Sequence, residues 1–92
     1  MLEFEWDEEK NLANIKKHGI SFDVAKFVFN DENAIEIYDE THSVDEDRYI
    51  IIGIVNKVLY VVYTVRNERI RVISARIANE TERRLYYDKG FY

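Results

Sequence analysis

Apolar and polar positions alternate at the start of the chain. Leu2, Phe4 and Trp6 are separated by Glu3 and Glu5, which predicts a short strand with one apolar face. Asp7 follows as a helix N-cap, with Glu8 and Glu9 in a first turn where the helix dipole favours negative charge. This helix is expected to run to about His18, and Gly19 can supply a left-handed C-cap. Leu12 and Ile15, helped by Ala13, mark its expected buried side. Ser21 opens a second helix to about Asn30, with Phe22, Ala25, Val28 and Phe29 as its apolar stripe. Ala34 to Tyr38 alternates again and predicts a strand, and residues 39–47 predict a solvated loop. A three-stranded meander follows, over Arg48–Val55, Val58–Arg66 and Arg69–Ala75. Asn56-Lys57 and Asn67-Glu68 are its expected two-residue turns. Asn79 starts a last helix with Glu82 as capping-box partner, and Gly90 is its expected end.

Two-residue turns fix which side chains share a face. One face then collects Ile50, Ile52, Ile54, Leu59, Val61, Tyr63, Val65, Ile70 and Val72, the expected core under the first two helices. The other collects Tyr49, Ile51, Gly53, Tyr60, Val62, Thr64, Arg66, Arg69, Arg71 and Ile73. That second face is partly apolar and needs cover, for which the last helix is the candidate. The expected class is α+β: a small antiparallel β-sheet with two N-terminal helices packed on it and a C-terminal helix.

At 92 residues the chain is sized for a single domain, 1–92. It has no cysteine, so thiolate and disulfide chemistry are excluded. His18 and His42 stand far apart and form no metal motif, and the acid pairs Glu8-Glu9 and Asp45-Glu46 lack ligand spacing; no cofactor is expected. The apolar runs are too short to span a bilayer and the start is acidic, so no membrane role and a cytoplasmic location are expected. Charge is divided unevenly. Residues 1–47 carry fourteen acidic side chains against four lysines, a balance of −10; residues 48–92 carry four against nine basic ones, a balance of +5. Either the second half meets an anion, RNA before an acidic protein, or the two halves neutralise each other in the fold.

The candidate chemistry follows that charge. Arg66, Arg69 and Arg71 sit around one turn, where guanidinium forks can take phosphate oxygens or stabilise charge developing at phosphorus; exposed strands also carry arginine simply to pair nearby carboxylates. Arg76 falls on the core side by strict alternation. It must pair with an acid such as Asp7 or Glu8, unless a bulge turns it into a cleft. The N–H groups opening the last helix can help bind phosphate, although Glu82 opposes this unless Arg76 or Arg83 neutralises it. His18 at a helix end suits a general acid or a cation, but Lys16, Lys17 and His18 also simply complement the helix dipole. Tyr86 is either a stacking platform or core. Trp6 reads as a packing anchor, and His42 in its polar loop reads as solvated.

Three stretches carry a resemblance: WDEEKNLANIKKHGISFD near the start, DRYIIIG in the meander, and TVRNERIRVISARIANETERRLYY at the end. Together they resemble the BrnT family of type II toxins over nearly the whole chain. The resemblance implies a fold similar to RelE ribonucleases and a metal-independent endoribonuclease that inhibits translation. It also implies neutralisation by a BrnA-like ribbon–helix–helix antitoxin, with operator DNA met only through that partner. By that resemblance His18, Arg66, Arg76 and Glu82 become candidate catalytic residues, with Arg66 and Arg76 on the phosphate and His18 or Glu82 in proton transfer. Lys17, Arg69, Arg71, Arg83 and Tyr86 become candidate substrate contacts. The alternative is an inactive module that binds the antitoxin or RNA and serves operon autoregulation.

Overall fold

The structure, a computed structural model, describes residues 2–88. Its elements are β1 (Phe4–Glu5), α1 (Glu8–His18), α2 (Phe22–Ala25) running into a 3-10 turn (Lys26–Asn30), β2 (Ile35–Tyr38), β3 (Tyr49–Val55), β4 (Lys57–Arg66), β5 (Arg69–Ile77) and α3 (Glu80–Asp88). The sheet order is β1-β5-β4-β3-β2. The class is α+β as expected, but the sheet is mixed, because β1 pairs parallel to β5 while the other pairs are antiparallel. The expected end of α3 at Gly90 lies outside the described residues. No helix among them is long and apolar enough to cross a membrane.

Local signals placed the helix starts. The Asp7 carboxylate accepts from the N–H groups of Glu9 and Lys10, Ser21 Oγ accepts from Val24 N–H, and Gly19 closes α1 at φ 73°. The buried side of α1 differs from the expectation. Leu12 and Ile15 are exposed, and the buried residues are Asn11 and Asn14. The cause lies in β5. Strand β1 borders it only at Ile70 and Arg71, so among the described residues the outer edge of β5 beyond them lacks a strand neighbour. Asn14 replaces one: its amide donates to the Ala75 carbonyl at 2.8 Å and its oxygen accepts from Ala75 N–H at 3.2 Å. It also donates to the Ile20 carbonyl at 2.8 Å, while Asn11 accepts from Phe22 N–H. A buried backbone edge needs polar partners, and a leucine has none to give.

The meander departs from its expected register at one turn. Val55 pairs with Lys57, leaving Asn56 alone at the corner with φ 65°. This one-residue turn moves β3 by one position against β4 and exchanges its faces. Tyr49, Ile51 and Gly53 therefore join Leu59, Val61 and Tyr63 under α1 and α2, while Ile50 and Ile52 join Val58, Tyr60 and Val62 on the other face. Ile54 and Val65, expected in the core, are exposed. Gly53 now has a reason. A Cβ there would lie 3.2 Å from both the Val28 carbonyl oxygen and Ala34 Cβ, so the glycine lets the 3-10 turn approach β3. The second turn is as expected, with Asn67 and Glu68 both at positive φ and Arg66 opposite Arg69.

One core lies between α1, α2 and the sheet, with Phe22, Ala25, Val28, Val61 and Ala75 wholly buried. A smaller one lies on the second face, where Tyr86 of α3 and Ala78 meet Ile50, Ile52 and Val58. The last helix is thus the cover for part of that face. Asp31 ties it down, accepting from Ile54 N–H at 2.8 Å and from the Tyr86 hydroxyl at 2.6 Å.

Candidate functional site: arginines on the second sheet face

The arginines of β4 and β5 fall into two groups. Between them the β4–β5 register shifts at Val62/Tyr63, a bulge that swings Arg76 from the helix-covered side to the second face. Of the two expectations for Arg76, the bulge holds. Its partner is neither Asp7 nor Glu8 but Glu82. Arg76 donates from both terminal nitrogens to the two carboxylate oxygens, at 2.8 and 2.9 Å, and its guanidinium stacks on Tyr60 at 3.9 Å. Glu82 also accepts from Asn79 N–H while the Asn79 oxygen accepts from Glu82 N–H, so the capping box and the fork share one carboxylate. Burial works against this carboxylate, yet the bonds from Arg76 and Asn79 hold its pKa below the ordinary value. A carboxylate so occupied is a poor base.

The other group lies six residues away along β4, about 20 Å at the usual strand rise. There Arg66 forks onto Glu46 through Nε and a terminal nitrogen, at 2.9 and 3.0 Å. The Arg66 bonds lower the pKa of Glu46, and the fields of Arg48 and Arg71 add to this. Arg66 is thus the guanidinium bonded to this carboxylate, Arg48 borders the same hollow, and Arg71 acts on it only through its field. Arg71 donates to Glu5 at 2.8 Å, and Arg69 stands 3.8 Å from Glu3. Glu46 belongs to the loop 39–47, which is held to the sheet where Thr64 Oγ1 donates to the Asp47 carbonyl and the Tyr38 hydroxyl donates to the Asp47 carboxylate. Thr41, His42, Val44, Arg48 and Arg66 border a hollow of about 430 Å³ beside it. Among the described residues no group of three or more His, Cys, Asp or Glu side chains is placed to hold a metal ion.

A family model described as ribonuclease toxin, BrnT, of type II toxin-antitoxin system matches residues 6–82. The chain belongs to the BrnT family. Its fold also matches the crystal structure of the Brucella abortus ribonuclease toxin BrnT, with a TM-score of 0.69 and 27% identity, over 87% of this chain and 100% of that one. Among curated proteins none matches the chain. A type II system pairs its toxin with an antitoxin, so BrnT membership carries an antitoxin partner with it.

The residues singled out in this BrnT chain do not form one pocket. Arg66, Arg69 and Arg71 gather at one end of the second face, and Arg76 with Glu82 at the other. Arg83 lies in α3, 3.6 Å from Glu80. His18 and Lys17 end α1; His18 borders an apolar groove with Ile15, Val24, Leu59 and Ile77, away from the arginine cluster. Tyr86 is packed into the small core with its hydroxyl on Asp31, the core alternative of the two expected. Sequence reasoning missed Glu46 and Arg48 as members of the cluster, and His42 beside it. The one signal available was that the loop 39–47 leads directly into Arg48 and the meander.

Proposed function

We propose that the chain is a metal-independent endoribonuclease that blocks translation by cutting RNA, and that a BrnA-like ribbon–helix–helix antitoxin neutralises it. The family supports ribonuclease activity. The observation that supports the metal-free reading is the Arg66 fork on the Glu46 carboxylate beside a hollow that Arg48 also borders. A phosphodiester is also an anion with forked oxygens, and it can replace an exposed carboxylate whose pairing is weak in water. In the reaction the 2′-hydroxyl oxygen bonds to the adjacent phosphorus, a base takes its proton, the bond to the 5′-oxygen breaks, and that oxygen gains a proton. The guanidinium groups stabilise the extra negative charge at phosphorus. Arg76 is reserved by Glu82 and serves the fold.

The test is cleavage of single-stranded RNA with chelator present, together with growth after induced expression. New RNA ends and growth arrest are expected, both lost in Arg66→Ala while the protein stays folded. Full cleavage and toxicity in that folded variant would remove the cluster from the reaction.

A second reading has its own observation. Arg66, Arg69, Arg71, Arg76, Arg83 and Arg84 each stand within ion-pair distance of a carboxylate of the same chain. On that reading the halves neutralise each other and the chain only binds its antitoxin or RNA. RNA that is shifted in a gel but never cut would favour it.

A further inference from the structure

His42 lies on the loop that borders the Arg48–Arg66 hollow. Its Nδ1 lies 2.9 Å from Asp39 Oδ2, and its backbone N–H donates to Asp39 Oδ1 at 3.3 Å. The Asp39 side chain is 14% exposed and the His42 ring 66%, so the carboxylate is held in the protein and the imidazole faces outward. Asp39 is itself fixed. Its N–H donates to the Arg48 carbonyl, and its carbonyl accepts from Ser43 Oγ at 2.6 Å, which in turn accepts from Arg48 N–H. A carboxylate on Nδ1 keeps the proton on that nitrogen, leaving Nε2 as the basic atom, and steadies the imidazolium once Nε2 is protonated. His42 borders the same hollow as Arg48 and Arg66.

We propose that His42, oriented by Asp39, is the general base of the cleavage reaction, with the phosphate held by Arg48 and Arg66. The inference rests on the ribonuclease reading above. Nε2 takes the proton of the 2′-hydroxyl as its oxygen bonds to phosphorus. The bond to the 5′-oxygen breaks and that oxygen takes a proton from water. The products are a 2′,3′-cyclic phosphate and a 5′-hydroxyl. The charged groups around the ring are Asp39, Asp45, Glu46, Arg48 and Arg66.

The experiment compares wild type, His42→Ala, His42→Gln and Asp39→Asn on one RNA oligonucleotide across pH, with affinity read on its 2′-deoxy counterpart, which cannot be cut. His42→Ala and His42→Gln are expected to cut about 10²-fold or more slowly at neutral pH. Their affinity for the deoxy strand should stay within about twofold, since a proton-accepting ring is not a phosphate contact. The rise of rate with pH that reports a base should vanish with the ring. Asp39→Asn should cut more slowly, because the ring loses the carboxylate that orients it. Wild-type rates and an unchanged profile in both His42 variants would overturn the assignment. So would a loss of rate matched by a loss of affinity, which marks a binding or structural role. A wild-type protein that cuts no RNA would instead overturn the ribonuclease reading and take this one with it.

Discussion

Arg76–Glu82 and Arg66–Glu46 are two arginine–glutamate forks with nearly equal bond lengths, on one face of one sheet. Their surroundings separate them. Glu82 is 15% exposed and lies within a capping box, and Arg76 rests on an aromatic ring. Arg66 is 49% exposed, and its partner comes from a surface loop. The first fork is costly to open because a half-buried carboxylate would lose its counter-charge. The second is cheap to open, and it stands beside a hollow bordered by Arg48 and Arg66. Equal geometry therefore marks a structural brace in one place and, on the function proposed above, a shielded binding surface in the other.

The largest expected effect tests the surface fork. Arg66→Ala should slow RNA cleavage by about 10²-fold, as loss of a transition-state cation does. Its melting temperature should move by less than about 3 °C, because an exposed pair contributes little. Next, Arg76→Ala should cost about 2 kcal/mol in urea melts, by removing two charge-assisted bonds and the stack on Tyr60. Its rate per folded molecule should be unchanged; a hundredfold loss there would erase the distinction between the forks. Because the Glu82 pKa is depressed in the fold, its stabilisation is complete above the unfolded value near 4.5 and is lost as pH falls. Arg76→Ala should blunt that acid loss.

A smaller effect belongs to the helix that the brace begins. The Tyr86 phenol is pushed up to about 12 by burial and by its bond to the Asp31 carboxylate. The neutral phenol is therefore the form the fold favours. Its contribution is complete below about pH 10 and declines as pH rises toward 12. Tyr86→Phe should cost about 1 kcal/mol at neutral pH and flatten that alkaline decline in thermal melts. The smallest effect is a gain. Glu46→Gln should tighten binding of a 2′-deoxy oligonucleotide by about threefold at low salt, since the internal competitor loses its charge. Weaker binding would show that Glu46 orders the arginines rather than masks them.

How much of this was legible in the chain depends on whether the signal was local. Asp7, Gly19, Ser21 and the Asn79–Glu82 box act on neighbouring backbone, and each stands where its chemistry placed it. The Asn67-Glu68 turn was equally direct. The failures came from relations across the fold. Nothing around Asn56 distinguishes a one-residue corner from a two-residue turn, yet that difference exchanged the faces of β3. Asn11 and Asn14 look like solvent-facing residues until the outer edge of β5 is seen to lack a strand. Arg76 could not be placed without the bulge at Val62/Tyr63. The cluster around Glu46 needed a loop and three strand ends at once, and that loop had been read only as solvated.

Strand β1 pairs with β5 at Ile70 and Arg71, and Asn14 fastens onto Ala75. Strand β1 thus waits for β5 before it is paired, although β5 itself is already held by β4. On the ribosome such long-range closure comes late, because synthesis delivers the amino end first. Arg48, Arg66 and Arg71 are likewise separate side chains until β3, β4 and β5 stand side by side. A nascent chain that has reached only the middle of the meander carries no assembled arginine cluster, so the surface comes into being only once β5 has been synthesised.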